Sequence, residues 1–163
     1  MRRIRVVLGS DHNGNAARNY VRKILREIPY LETMTDLGCD EGKTDYPQMA
    51  AAVCEEVLFD FHNYSERDAD VETYGILICG TGTGMCIAAN KTKNIRAGLA
   101  TDRATAELMR EHNDCNVLCL GQWRNSLSQM EEMVRAFLKT PFGEGRHSAR
   151  LDMLLRMDEK ITK

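Results

Sequence analysis

Short apolar runs alternate with amphipathic stretches along the whole chain, and this alternation predicts its elements. Residues 4–8 read as a first strand that ends at Gly9-Ser10-Asp11-His12-Asn13-Gly14. Ala17, Tyr20, Val21, Ile24, Leu25 and Ile28 then recur at helical spacing, an amphipathic stripe that Pro29 stops. Residues 33–37 form a weaker second strand, closed by Gly38. A polar loop leads to Pro47, placed where a first helical turn tolerates proline. Ala50, Val53, Cys54, Val57, Leu58 and Phe61 supply the second helical stripe. Residues 60–73 are polar, acidic and turn-rich, a surface loop or an extra turn of helix. Residues 74–79 are an unbroken apolar run, as a central parallel strand covered on both faces requires. Gly80-Thr81-Gly82-Thr83-Gly84 separates that run from a short helix over residues 85–90. A fourth strand spans 95–100, and Thr101-Asp102 cap a helix ending near His112. A fifth strand spans 116–120. Ser126 and Gln129 make a capping box for a helix carrying Leu127, Met130, Met133, Val134, Phe137 and Leu138. A last helix covers about 148–158.

Strand followed by helix, five times over, predicts an α/β fold: a single-domain three-layer α/β/α sandwich around a Rossmann-like five-stranded parallel sheet. No linker or repeat divides the 163 residues, a length suited to one domain over 1–163. Composition (43% hydrophobic, 28% charged) is that of a globular protein. The 22 Lys and Arg against 24 Asp and Glu leave no broad basic field, so nucleic acid and anionic membranes are not expected partners. No apolar run approaches the roughly 18 residues of a membrane span. The basic start, Met1-Arg2-Arg3, meets only a short apolar run before Gly9 and reads as a strand, not an export signal. The six cysteines (39, 54, 79, 86, 115, 119) are accordingly read as free thiols in a reducing, cytoplasmic setting. Cys115 and Cys119, four apart, are expected on one face of a strand. The four histidines show no zinc spacing, and no metal or cofactor is predicted.

In such a sheet, ligands bind where strands end at their C-terminal edge. The loops at that edge carry Asp11-His12, Cys79 with the glycine loop, Asp102-Arg103 and the stretch after Leu120. A dinucleotide fingerprint would need glycine at position 85, which is Met85. The stretch Gly38–Thr44 only mimics a phosphate loop, being one residue short. What the loop over 80–84 can do is aim backbone N–H groups at one anionic atom beside a helix start. A thiol entering such a nest is placed to act as a thiolate, so Cys79 is a candidate nucleophile or base; its other reading is a small core residue. Arg146 and Arg150, one helical turn apart, could grip a phosphate together, or simply face solvent. His112 could be a catalyst or a helix C-terminal cap.

Taken together, Gly9-Ser10-Asp11-His12, Thr44-Asp45-Tyr46-Pro47, Ile76-Leu77-Ile78-Cys79 with the glycine loop, Ala88-Ala89-Asn90-Lys91, Ile95-Arg96-Ala97, His112-Asn113-Asp114 and Gly145-Arg146-His147 resemble one family. That family is the type B ribose-5-phosphate isomerases, which also includes allose-6-phosphate and galactose-6-phosphate isomerases. The resemblance implies metal-independent conversion of ribose 5-phosphate to ribulose 5-phosphate through a cis-enediolate, a step of the pentose phosphate pathway. It assigns the carbon base to Cys79, since Met85 stands where some members carry a glutamate. Gly80, Gly82, Thr83 and Gly84 would hold the enediolate oxygen with Thr81, and His112 would open the sugar ring. Asp11 and Asn113 would bind sugar oxygens, Tyr46 would wall the pocket, and His12, Arg146 and Arg150 would bind phosphate. It also implies a homodimer or homotetramer with active sites shared between subunits, the last helix packing on a partner. A six-carbon sugar phosphate, allose or galactose 6-phosphate, is the alternative substrate, and a non-catalytic sugar-phosphate binder the alternative function.

Two departures stand out. The family has Gly-x-Arg after the fifth strand, but this chain reads Gly121-Gln122-Trp123-Arg124. Trp123 takes the arginine's place, and Arg124 beside it is carried as a phosphate contact. The segment 60–73 is also longer than usual, as surface variation or an oligomer contact.

Overall fold

The alternation of strand and helix is realised in full in the computed structural model, which describes residues 2–38, 42–65, 68 and 70–161. Strand β1 (Arg3–Ser10) leads through a 3-10 turn (His12–Gly14) into α1 (Asn15–Leu25). Then come β2 (Leu31–Asp36), α2 (Tyr46–Asp60), a π-helical turn (Phe61–Ser65) and β3 (Val71–Cys79). The chain continues through α3 (Thr83–Ala89), β4 (Ala97–Leu99), α4 (Arg103–Asn113), β5 (Val117–Gly121), α5 (Leu127–Lys139) and α6 (Arg146–Ile161). All ladders are parallel, in the order β2-β1-β3-β5-β4.

Side chains alternate across a strand, so each central strand serves two cores. Ile4, Val6 and Leu8 of β1, Tyr74, Ile76 and Ile78 of β3, and Leu118 and Leu120 of β5 pack with α1, α4 and α5. Val7, Leu77, Cys79, Val117 and Cys119 face the opposite way, against α2 and α3. This double burial is why residues 74–79 carry no alternating polar positions. The result is the three-layer α/β/α arrangement.

Some boundaries differ from the sequence expectation. β3 begins at Val71, three residues inside the stretch expected to be loop or helical turn, because Val71 and Thr73 pair with Arg3 and Arg5 of β1 and are buried. The expected extra turn is also present, at Phe61–Ser65. β4 shrinks to three residues at the sheet edge, and α6 extends beyond the predicted bounds at both ends. Cys115 and Cys119 do not share a face: Cys115 precedes β5 and packs with the first core, whereas Cys119 points into the second. β5 begins only at Val117, so Cys115 lies in the connection from α4 and is outside the strand's two-residue alternation. Cys39 and the centre of the phosphate-loop mimic lie outside the described residues. Among the described residues, no helix is long and apolar enough to cross a membrane.

The strand order matters for function. The chain leaves β1 toward β2 on one side, and leaves β3 toward β4 on the other. Where connections diverge, the C-terminal ends of neighbouring strands open a crevice. Here those ends are Ser10 and Cys79.

Candidate active site

Asp11 follows β1 and is 4% exposed. Its carboxylate accepts from the N–H groups of Asn13 (2.9 Å) and Gly14 (3.1 Å), and so caps the 3-10 turn. Its own N–H donates to the Ile78 carbonyl at 3.2 Å. The turn presses onto β3 so closely that a Cβ on Gly14 would lie 2.4 Å from the Ile78 oxygen. His12 is exposed beside it, its Nδ1 3.3 Å from the Thr44 carbonyl that precedes α2.

Cys79 is the last residue of β3 and 5% exposed. Its Sγ accepts from the Gly82 N–H at 3.1 Å. The sulfur therefore sits between the second core and the amides of the glycine loop, not sealed in hydrocarbon. Gly82 makes this possible at φ 79, and a Cβ there would lie 2.5 Å from Leu99 Cδ1 and 2.9 Å from the Leu120 carbonyl carbon. Thr81 and Thr83 are exposed at the loop's crest, the Thr81 hydroxyl oxygen accepting from the Thr83 N–H at 3.3 Å. The loop after β5 is laced alongside: Gln122 N–H donates to the Cys79 carbonyl (2.9 Å) and Trp123 N–H to the Gly80 carbonyl (2.8 Å). Tyr46, at the start of α2, lays its ring over Gly84. Arg124 is exposed on the same edge.

The remaining predicted residues lie elsewhere. α4 starts above the C-terminal end of β4 and runs back along the sheet, a path of about 16 Å at 1.5 Å per residue. It delivers His112 and Asn113 to the opposite edge, where Arg96, just before β4, donates to the Asp114 carbonyl at 2.9 Å. There the His112 ring stacks on His147, centroids 4.3 Å apart and planes 12° from parallel. Desolvation holds the His147 pKa below its ordinary 6.5, with the charges of His112, Arg146 and Arg150 adding to the effect. Arg146 and Arg150 are exposed on α6 and form no ion pair among the described residues. The expected residues thus fall into two groups: Asp11, His12, Tyr46, residues 79–84 and Arg124 at one edge, and His112, Asn113, Arg146 and Arg150 at the other.

The other thiols divide unexpectedly. Burial pushes Cys54 up to about 12 and Cys115 up to about 11. Cys86, half-buried on α3, is instead lowered to about 7, first by a hydrogen bond with Cys119. That bond, with burial, raises Cys119 well above 9.0. Nothing in the sequence signals this pair, because its members lie on α3 and β5. Among the described residues, no group of three or more His, Cys, Asp or Glu is arranged to hold a metal ion.

A nearly buried thiol that accepts from a loop N–H and a carboxylate that caps the neighbouring turn thus stand together at the switch point of an α/β sheet, groups whose chemistry suits acid–base work on a small polar molecule. The chain belongs to the ribose/galactose isomerase family, whose sequence profile matches residues 6–154. It is 33% identical over 156 residues to ribose-5-phosphate isomerase B of Escherichia coli, covering 96% of this chain and 97% of that one. Among solved structures, ribose 5-phosphate isomerase B of Anaplasma phagocytophilum is 40% identical with a TM-score of 0.81, covering 94% of this chain and 98% of its own. The Mycoplasma genitalium ribose-5-phosphate isomerase B structure, with bound ribulose-5-phosphate, is 33% identical with a TM-score of 0.83, covering 98% and 99%.

Proposed function

We propose that this protein interconverts ribose 5-phosphate and ribulose 5-phosphate, as a cytoplasmic single-domain isomerase of the pentose phosphate pathway. The observation that carries this reading is the Cys79 sulfur, fixed 3.1 Å from the Gly82 amide at the end of the central strand. As thiolate, Cys79 removes the C2 proton of the open-chain aldose. The electron pair moves into a C1–C2 double bond, and the carbonyl oxygen becomes the anion that the loop amides and the Thr81 hydroxyl stabilise. The proton on O2 passes to O1, and Cys79 returns its own proton to C1, giving the ketose. One such preorganised donor is worth roughly 2.7–4 kcal/mol of barrier, so the step needs no metal. Asp11 binds sugar hydroxyls, and Tyr46 walls the pocket.

Ring opening needs a second acid–base group, and His112 has the chemistry for it. Within one chain it stands at the wrong edge of the sheet. We infer a homodimer, or a pair of dimers, in which His112, Asn113, Arg146 and Arg150 of one copy complete the Cys79 crevice of another. Two features support this: the two arginines are exposed and form no ion pair among the described residues, and α6 exposes Met153, Leu154 and Met157 at 61%, 42% and 58%. His12 and Arg124 meet the phosphate from the Cys79 side.

A ketose-formation assay with ribose 5-phosphate tests the reading. Wild-type protein turns the sugar over, and Cys79→Ala loses roughly 100- to 10,000-fold in kcat, the range of a lost acid–base group, with its circular dichroism unchanged. Equal rates in both proteins would remove Cys79 from the mechanism.

A further inference from the structure

Resting on the isomerase reading, we propose that Trp123 is a specificity-determining wall of the substrate pocket: a fixed aromatic face that packs on the sugar carbon chain and limits it to five carbons. Trp123 is 66% exposed, more than any other large apolar side chain among the described residues. It gains little core burial in that position, so its place is set by what the ring touches locally. The ring is nevertheless not adrift. Its six-membered edge lies on Gly80, where an added Cβ would come within 2.7 Å of Cε3 and Cζ3. Gly80 is thus bare because the indole occupies the space a side chain would need.

The backbone beneath the ring is held at several points. Trp123 N–H bonds the Gly80 carbonyl (2.8 Å), Gln122 N–H the Cys79 carbonyl (2.9 Å) and Arg124 N–H the Gly121 carbonyl (3.0 Å). The Gln122 side-chain oxygen accepts from the Ala17 N–H at 2.8 Å, tying the turn to α1. One part of the indole therefore rests on the loop that follows Cys79, and most of the residue is open to solvent. Tyr46 covers Gly84 at the other end of the same loop. Two aromatic rings bracket a stretch of backbone whose crest is Thr81 and Thr83. An aromatic face favours the C–H face of a sugar chain, and the main-chain bonds fix the point from which the ring projects.

The test compares wild type, Trp123→Phe and Trp123→Ala with ribose 5-phosphate and allose 6-phosphate. Trp123→Ala should raise KM for ribose 5-phosphate roughly three- to tenfold, the worth of one aromatic contact, with a smaller change in kcat. The ratio of kcat/KM for the six-carbon over the five-carbon sugar should rise roughly tenfold, the scale set by one carbon in a pocket. Trp123→Phe should stay near wild type on both measures. Trp123 is the single tryptophan of the chain, so its fluorescence gives an independent readout. Titration with ribitol 5-phosphate, which has the hydroxyls and phosphate but no carbonyl, should shift the emission saturably. If wild type isomerises ribose 5-phosphate while Trp123→Ala keeps the same KM and sugar ratio, this proposal is overturned and the isomerase reading stands. If wild type isomerises neither sugar, that reading falls and the titration decides: a saturable shift upholds the ligand-facing indole, and a flat trace overturns it.

Discussion

At the scale of single residues, position along a strand predicts more than residue type does. Cys79 stands out in the sequence because it ends an unbroken apolar run and precedes a glycine loop, and it lies against that loop's amide. Cys86 has no such signature, yet its thiol is lowered to about 7 by the hydrogen bond with Cys119. Sulfur reactivity follows the thiolate fraction and access. Brief treatment with iodoacetamide at pH 7.5 should therefore label Cys86 well before Cys54, Cys115 or Cys119, and its rate should fall as pH drops through about 7. Peptide mapping by mass spectrometry reads the order directly. Labelling of Cys54 first would contradict the burial that raises it to about 12.

At the scale of elements, the caps and stripes were legible because each depends on neighbours a few residues away. The Ser126–Gln129 box forms as expected, the two residues exchanging bonds of 2.9 and 3.2 Å. Asp102 likewise caps α4 through the Thr105 N–H at 2.7 Å. The start of β3 was not legible, since Glu72 and Thr73 look like loop residues until β1 supplies a ladder for them. The glycine loop lies between these cases. Its composition announces a tight turn, but only the fold shows Gly82 wedged against Leu99 and the Leu120 backbone. Gly82→Ala combines left-handed strain of about 1–2 kcal/mol with overpacking of about 1–3 kcal/mol. Urea unfolding should show a loss of that order. Activity should fall further than stability, because the same residue donates to the Cys79 sulfur. A variant with wild-type midpoint and rate would mean the loop yields freely.

At the scale of the whole molecule, the residues proposed for the reaction stand in two groups at opposite edges of one sheet, and the proposed dimer brings them together. Sharing between copies makes a quantitative prediction. Cys79→Ala and His112→Ala should each be inactive alone. Co-refolded in equal amounts, half the dimers are mixed, and each mixed dimer regains one intact site of two. Recovered activity should be about a quarter of wild type, as a two-fold interface requires. No recovery in verified mixed dimers would mean that both groups act within one chain.

The sequence by itself determined the succession of strands and helices and the parallel three-layer class, because periodicity, capping and turn formation are decided within a few residues. It did not determine the order β2-β1-β3-β5-β4, the pairing of Cys86 with Cys119, or the separation of His112 from Cys79. Those depend on which distant segments pack together, and only the tertiary structure decides that.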